Sequence, residues 1–194
     1  MKLILLILAL TLSFGSKASE LNFTAGGSFV YANILGQNDV PSYSGLGYYG
    51  EIEYFIPFSE SSAMSFFGVG HKANLENSAN DKIIEELQIG YLGAGIKIYL
   101  GNAFISGSIG GVSFHDEVSG DKNKTIESSE VGKEFGVGYR FRMSNLTSIV
   151  VSAHMLHASL NPENGTGFYS DYDLWQYRGS IGFCFTIPST PIEF

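Results

Sequence analysis

The segment Ala153-His154-Met155-Leu156-His157-Ala158-Ser159-Leu160-Asn161 sets a histidine two residues before a serine, and an Asn/Pro/Gly-rich stretch with several acids follows it. A serine hydroxyl is a weak nucleophile until a neighbouring base takes its proton, and that base needs a third group to orient it. In an extended chain, side chains two apart share a face, so His157 and Ser159 would stand side by side. The plainer reading is that this pair ends a strand at a polar boundary, with His154 an interior hydrogen-bonding residue. A second set with chemical potential is Glu51, Glu53, Lys97, Glu134, Arg140, Arg142 and Arg178, which fall on the polar faces of alternating segments. No cofactor or metal is implied: the four histidines lack metal-ligand spacing with carboxylates, Cys184 is the one cysteine, and no glycine pattern suits a phosphate loop.

The elements that must position these residues are strands. Leu174 to Ile187 puts Trp175, Tyr177, Ile181, Phe183, Phe185 and Ile187 on one face and Gln176, Arg178, Ser180, Gly182, Cys184 and Thr186 on the other. Seven further segments alternate, Leu21–Ala32, Leu46–Ile56, Ala63–Ala73, Leu87–Leu100, Ala103–Phe114, Val131–Met143 and Thr147–Ser159, of which the third, fifth and seventh strands of the chain do so less cleanly. Twenty-four glycines, eleven tyrosines and fifteen phenylalanines favour such strands over helices. Before them, Lys2, the apolar run Leu3–Leu12 and the small-x-small site Ser16-Lys17-Ala18 read as a secretory signal peptide over residues 1–18, cleaved before Ser19. That run is about half of the roughly 20 residues a helical span needs. Residues 19–194 then form one domain.

Short links (Pro57–Ser62, Gly101–Asn102, Ser144–Leu146) alternate with long polar ones (Gly36–Ser44, Glu76–Glu86, Asp116–Glu130, Asn161–Asp173). Outer-membrane barrels alternate tight periplasmic turns with long extracellular loops, and their strands turn apolar side chains to lipid and polar ones to the lumen. The expected fold is therefore all-β: an eight-stranded antiparallel up-and-down transmembrane β-barrel in the bacterial outer membrane. A barrel of eight strands is only wide enough for side chains to fill. Charges of both signs inside it would pair, so a plugged polar lumen is expected rather than an open pore, with Gln88 and Gln176 also inside. The net charge of −8 argues against nucleic acid. The acids Asp116, Glu117, Asp121, Glu127 and Glu130 of the longest link could hold divalent cations, although a solvated loop is the simpler account.

Two resemblances sharpen these expectations. The whole pattern from Leu21 to Ile187 resembles the small eight-stranded outer-membrane proteins, the OmpA transmembrane domain and OmpX class. Ser180-x-Gly182-x-x-Phe185-x-Ile187 is similar to the closing-strand signal of such proteins, which the outer-membrane assembly machinery reads. The resemblance implies a structural or surface-interaction protein of the envelope, in contact with outer-membrane lipids and lipopolysaccharide. The second resemblance is local. His157-x-Ser159 with the loop after it resembles the lipid A deacylases of the PagL family, which implies His157 as base, Ser159 as nucleophile and Asp171 as the orienting acid. That family's asparagine directly after the serine is Leu160 here, and Asn161 stands one position late. The activity implied would be that of a serine esterase acting on lipopolysaccharide acyl chains.

Overall fold

The computed structural model describes residues 19–35, 42–59, 61–77, 85–118, 125–160 and 172–188. They form eight strands: β1 (Glu20–Leu35), β2 (Ser42–Pro57), β3 (Ser62–Asn77), β4 (Glu85–Leu100), β5 (Ala103–Val118), β6 (Thr125–Arg142), β7 (Thr147–Leu160) and β8 (Tyr172–Pro188). Each pairs antiparallel with its neighbour in sequence, and β8 returns to pair with β1 from Glu20↔Pro188 to Leu35↔Asp173. The sheet is closed, so neither β1 nor β8 is left with an unpaired edge.

Turn chemistry holds the short links. Gly101 adopts φ 63° in the two-residue Gly101–Asn102 turn of β4 and β5, a left-handed conformation that such hairpins require and that glycine reaches without a Cβ clash. Between β6 and β7 the amides of Met143 and Ser144 both donate to the Thr147 carbonyl, at 3.0 and 3.1 Å. The β2–β3 link repeats this arrangement with Phe58, Ser59 and Ser62.

Period-two alternation sorts the side chains into two sets. Phe23, Phe29, Tyr31, Tyr48, Tyr54, Phe135, Phe141, Tyr177, Phe183 and Phe185 all point outward and are exposed. A soluble protein rarely displays so continuous an apolar exterior. Here it forms a band that fits hydrocarbon. On β3 the outward face carries Met64 and Phe66, and the inward face carries Ser65, Phe67, Val69 and His71.

The strands are longer than their apolar alternation suggests. Most run to 16 residues or more, against the roughly 9–11 needed to cross hydrocarbon. Residues 116–118 and 125–130, expected in a loop, belong to β5 and β6, with His115↔Glu127 and Val112↔Glu130 in register. The physical reason is that beyond the lipid a strand needs no apolar outer face. Its ladder persists while the sequence signal fades.

The lumen also departs from expectation. It is not polar throughout. Towards the long links it is filled by apolar side chains, among them Val30, Leu75, Leu87, Val112, Leu156 and Leu174, all 0–1% exposed. Near the short links a second apolar group, Phe55, Tyr99, Phe104, Val150 and Cys184, lines the wall. Glu51, Lys97, Glu134 and Arg178 occupy the zone between, whereas Glu53 and Arg140 lie among the second group, with Arg140 against the Phe55 and Tyr99 rings. Gln176 is inside and 1% exposed, but Gln88 shares the outward parity of Leu92 and Ile96 and does not enter the lumen.

Adjacent residues of β8 test the two-faced wall. Phe183 is 52% exposed and Cys184 0%. Arginine at 183 should cost about 2–4 kcal/mol of folding free energy in lipid if this position lies near the bilayer midplane. Reversible denaturant unfolding in bilayers measures this; a cost near zero would remove Phe183 from hydrocarbon.

Candidate functional site

Three carboxylates organise the lumenal zone, and each has its own cation. Glu53 of β2 receives Arg140 from β6, Tyr99 Oη and Ser65 Oγ (both 2.5 Å), and Asn22 Nδ2 at 3.2 Å. Glu51, two residues away on the same face, holds Lys97 of β4. Glu134 of β6 accepts from Arg178 Nη2 of β8 at 3.0 Å, with His154 Nδ1 at 3.3 Å and His71 Nε2 at 3.7 Å. Pairing is obligatory at these depths, because an isolated ion out of water is penalised by several kcal/mol. Lys97 also lies 4.8 Å from the ring centroids of Phe67 and Phe104, and Arg140 5.0 Å from that of Tyr99, so the rings help replace water around the cations.

Six of the seven charged residues expected in the lumen therefore lie there. Arg142 does not: it shares the parity of Arg140 but sits at the last position of β6, exposed beyond the short-link mouth. Parity fixes a face; only strand length fixes whether the face still borders the lumen. Tyr99, which donates to Glu53, and His71, beside Glu134, complete the network and were not expected from the sequence. Strand three alternates polar and apolar residues on both faces, which left His71 without a readable signal.

At the long-link rim, β7 turns His157 and Ser159 outward, as the period of two requires. Asp171 lies outside the described residues. The acid that meets the pair is Asp173, directly opposite Ser159 in the β7–β8 register. Ser159 Oγ donates to Asp173 Oδ1 at 3.0 Å, and His157 Nε2 stands 3.4 Å from the same oxygen. Trp175 lies against the His157 ring, with centroids 4.4 Å apart. Acid, base and hydroxyl converge, but the carboxylate engages serine and histidine together rather than holding the far side of the imidazole. Base catalysis would require Ser159 to leave Asp173 and turn to His157.

Of the closing-strand residues, Ser180 and Gly182 face inward and Phe185 and Ile187 outward. Gly182 is opposite Gly26, and a Cβ at 182 would run into the Tyr49 hydroxyl, so glycine here makes room for a lumenal ring. Among the described residues no group of three or more His, Cys, Asp or Glu side chains is disposed to hold a metal ion. The side chains of Asp116, Glu117, Asp121 and Glu127, like residues 1–18 with the expected signal peptide, lie outside what is described.

No family model and no curated protein matches this chain. Solved structures do. Outer membrane protein AlkL, determined by solid-state NMR in DMPC lipid bilayers, aligns over 93% of this chain and 95% of its own, with TM-score 0.60 and 17% identity. Ail, the attachment invasion locus protein of Yersinia pestis, aligns over 88% of this chain and 100% of its own, with TM-score 0.58 and 12% identity. Neisserial surface protein A covers 84% and 96%, with TM-score 0.53 and 11% identity. The fold is that of the small bacterial outer-membrane barrels. With its closed ladder and apolar exterior, the chain is a transmembrane barrel of the outer-membrane type. At these identities the likeness speaks for the fold and not for a shared activity.

The lumenal pairs yield a graded expectation. Arg140→Met leaves the Glu53 carboxylate buried without its cation and should cost about 3–5 kcal/mol. Arg142→Met removes an exposed charge and should stay within about 0.5 kcal/mol of the parent. Denaturant unfolding of both variants in the same lipid measures the difference; equal costs would dissolve the distinction between lumen and rim.

Proposed function

We propose that this chain is a non-conducting envelope barrel that acts as a structural or surface-interaction protein of the bacterial outer membrane. The observation that carries the reading is the apolar filling of the lumen towards the long links, where Val30, Leu75, Leu87, Leu156 and Leu174 meet with 0–1% exposure. Neither an ion nor a polar solute crosses such a layer without losing its hydration, which is prohibitive for a charge. With the interior closed, the surfaces left to work are the exterior band and the rim, whose partners are outer-leaflet lipids and lipopolysaccharide. The β8 face ending in Phe185 and Ile187 is the segment offered to the assembly machinery. The similarly folded barrel Ail was solved with the heparin analogue sucrose octasulfate. A polyanion of that kind suits the present chain poorly, because its net charge is −8 while its buried cations are already paired.

Planar-bilayer recording tests the closed lumen. The purified protein should add no stable conductance above the lipid baseline, whereas Leu87→Ser with Leu156→Ser should produce a measurable leak. Stepwise channels from the unmodified protein would overturn the reading.

A second reading has its own observation, the convergence of His157, Ser159 and Asp173 on the outward rim. It supports an esterase acting on lipid A acyl chains, with Ser159 as nucleophile, His157 as base and Asp173 in place of Asp171 as the orienting acid. Fatty acid release from purified lipid A, abolished by Ser159→Ala and reduced at least tenfold by Asp173→Asn, would establish it. Absence of release under conditions that keep the barrel folded would exclude it.

A further inference from the structure

We propose that the middle of the lumen is a hydrated chamber, in which ordered water is enclosed between the apolar layer towards the long links and the aromatic group near the short ones. A small cavity lies there, lined by Thr24, Tyr49, Glu51, Lys97, Ser152 and Arg178 among others. Arg178 is 2% exposed and spends only Nη2 on Glu134; its Nε and Nη1 have no hydrogen-bond partner among the described residues. The hydroxyl of Tyr49, whose ring lies 5.6 Å from the Arg178 guanidinium carbon, has none either. Ser28 and Ser180 face each other across β1 and β8, and neither hydroxyl has a hydrogen-bond partner among the described residues.

The kind of occupant follows from what these groups need. Buried polar groups find partners, since each one left unsatisfied is penalised by roughly 1–3 kcal/mol. Arg178 Nε and Nη1 can only donate, whereas the hydroxyls of Tyr49, Ser28 and Ser180 can donate or accept. A cation cannot serve the arginine, and an anion would add a charge that the pairs around it do not need. The formal charges here already balance, Glu51 against Lys97 and Glu134 against Arg178. Water donates and accepts, adds no charge, and fits a polar cavity of this size with several partners per molecule. The chamber deepens the closed-lumen reading and rests on it, because enclosed water presupposes the apolar layer. Conductance tests that layer, and the experiments below test the water.

Water-edited solid-state NMR on the full protein in bilayers reads the chamber directly. Arg178 and Tyr49 side-chain signals should build up from water protons while the methyls of Leu87 and Leu156 remain dark. Arg178 and Tyr49 as dark as the two leucines would mean a dry lumen and would overturn the proposal. Arg178 signals that move when chloride is replaced by bromide would overturn it in favour of a bound anion. Tyr49→Phe gives an independent readout with opposite signs. If water satisfies the hydroxyl, its removal lowers the thermal midpoint. If the hydroxyl sits unpaired in a dry cavity, its removal raises the midpoint, and the proposal fails.

Discussion

Every backbone amide and carbonyl of a strand within hydrocarbon must find its partner inside the protein, because no water is there to supply one. That constraint is met by the β1–β8 seam, where sixteen register pairs from Glu20↔Pro188 to Leu35↔Asp173 turn an open sheet into a cylinder. Once the cylinder exists, period two assigns every side chain to lipid or lumen, and the assignment cannot drift without carrying a whole strand with it. The outward aromatics and aliphatics, the inward charges and the placement of the rim residues are consequences of that closure. The β8 sequence is so sharply two-faced because it must satisfy lipid, lumen and two neighbouring strands together.

Inside the cylinder the problem becomes one of volume. A barrel of eight strands has room for one layer of interlocking side chains. Glycines on one strand therefore answer large residues on another. A Cβ at Gly138 would strike the Phe104 ring, one at Gly136 would strike His154, and one at Gly182 would meet Tyr49. The alternating glycines of β6, Gly132, Gly136 and Gly138, thus make that side of the wall thin where side chains from β5 and β7 cross the lumen. Glycine in this chain is a packing residue as much as a strand residue.

The architecture was legible in the sequence because the outward face carries a strong signal: Phe183 beside Cys184 and Phe141 beside Arg140 announce two environments. The inner face was harder. Val30, Ala32 and Ile34 of β1 point inward while Phe29, Tyr31 and Leu35 point outward, so both faces are apolar there and alternation disappears. A segment with two apolar faces gives no phase, and the interior was accordingly expected to be polar. The acid near Ser159 was hidden for another reason. Asp171 and Asp173 are two apart in sequence, so parity could not choose between them, and it is the register Ser159↔Asp173 across β7 and β8 that brings Asp173 to the serine. Counting along a long link cannot supply that register, because the link's length does not determine where pairing resumes.

Charge follows the same division between a constrained interior and a free exterior. Three carboxylates and three strong cations meet inside, in the pairs Glu51–Lys97, Glu53–Arg140 and Glu134–Arg178, and their formal sum is zero. Neutrality is imposed there, since an unmatched ion would have no water to turn to. Among the described acids outside these pairs, Glu76 and Asp173 face outward near the long-link ends of their strands. Carboxylates in that position repel anions in solution, and salt screens the effect. The interior of this barrel is thus specified by packing and pairing, and the rim is the region where its sequence is free to set what it meets.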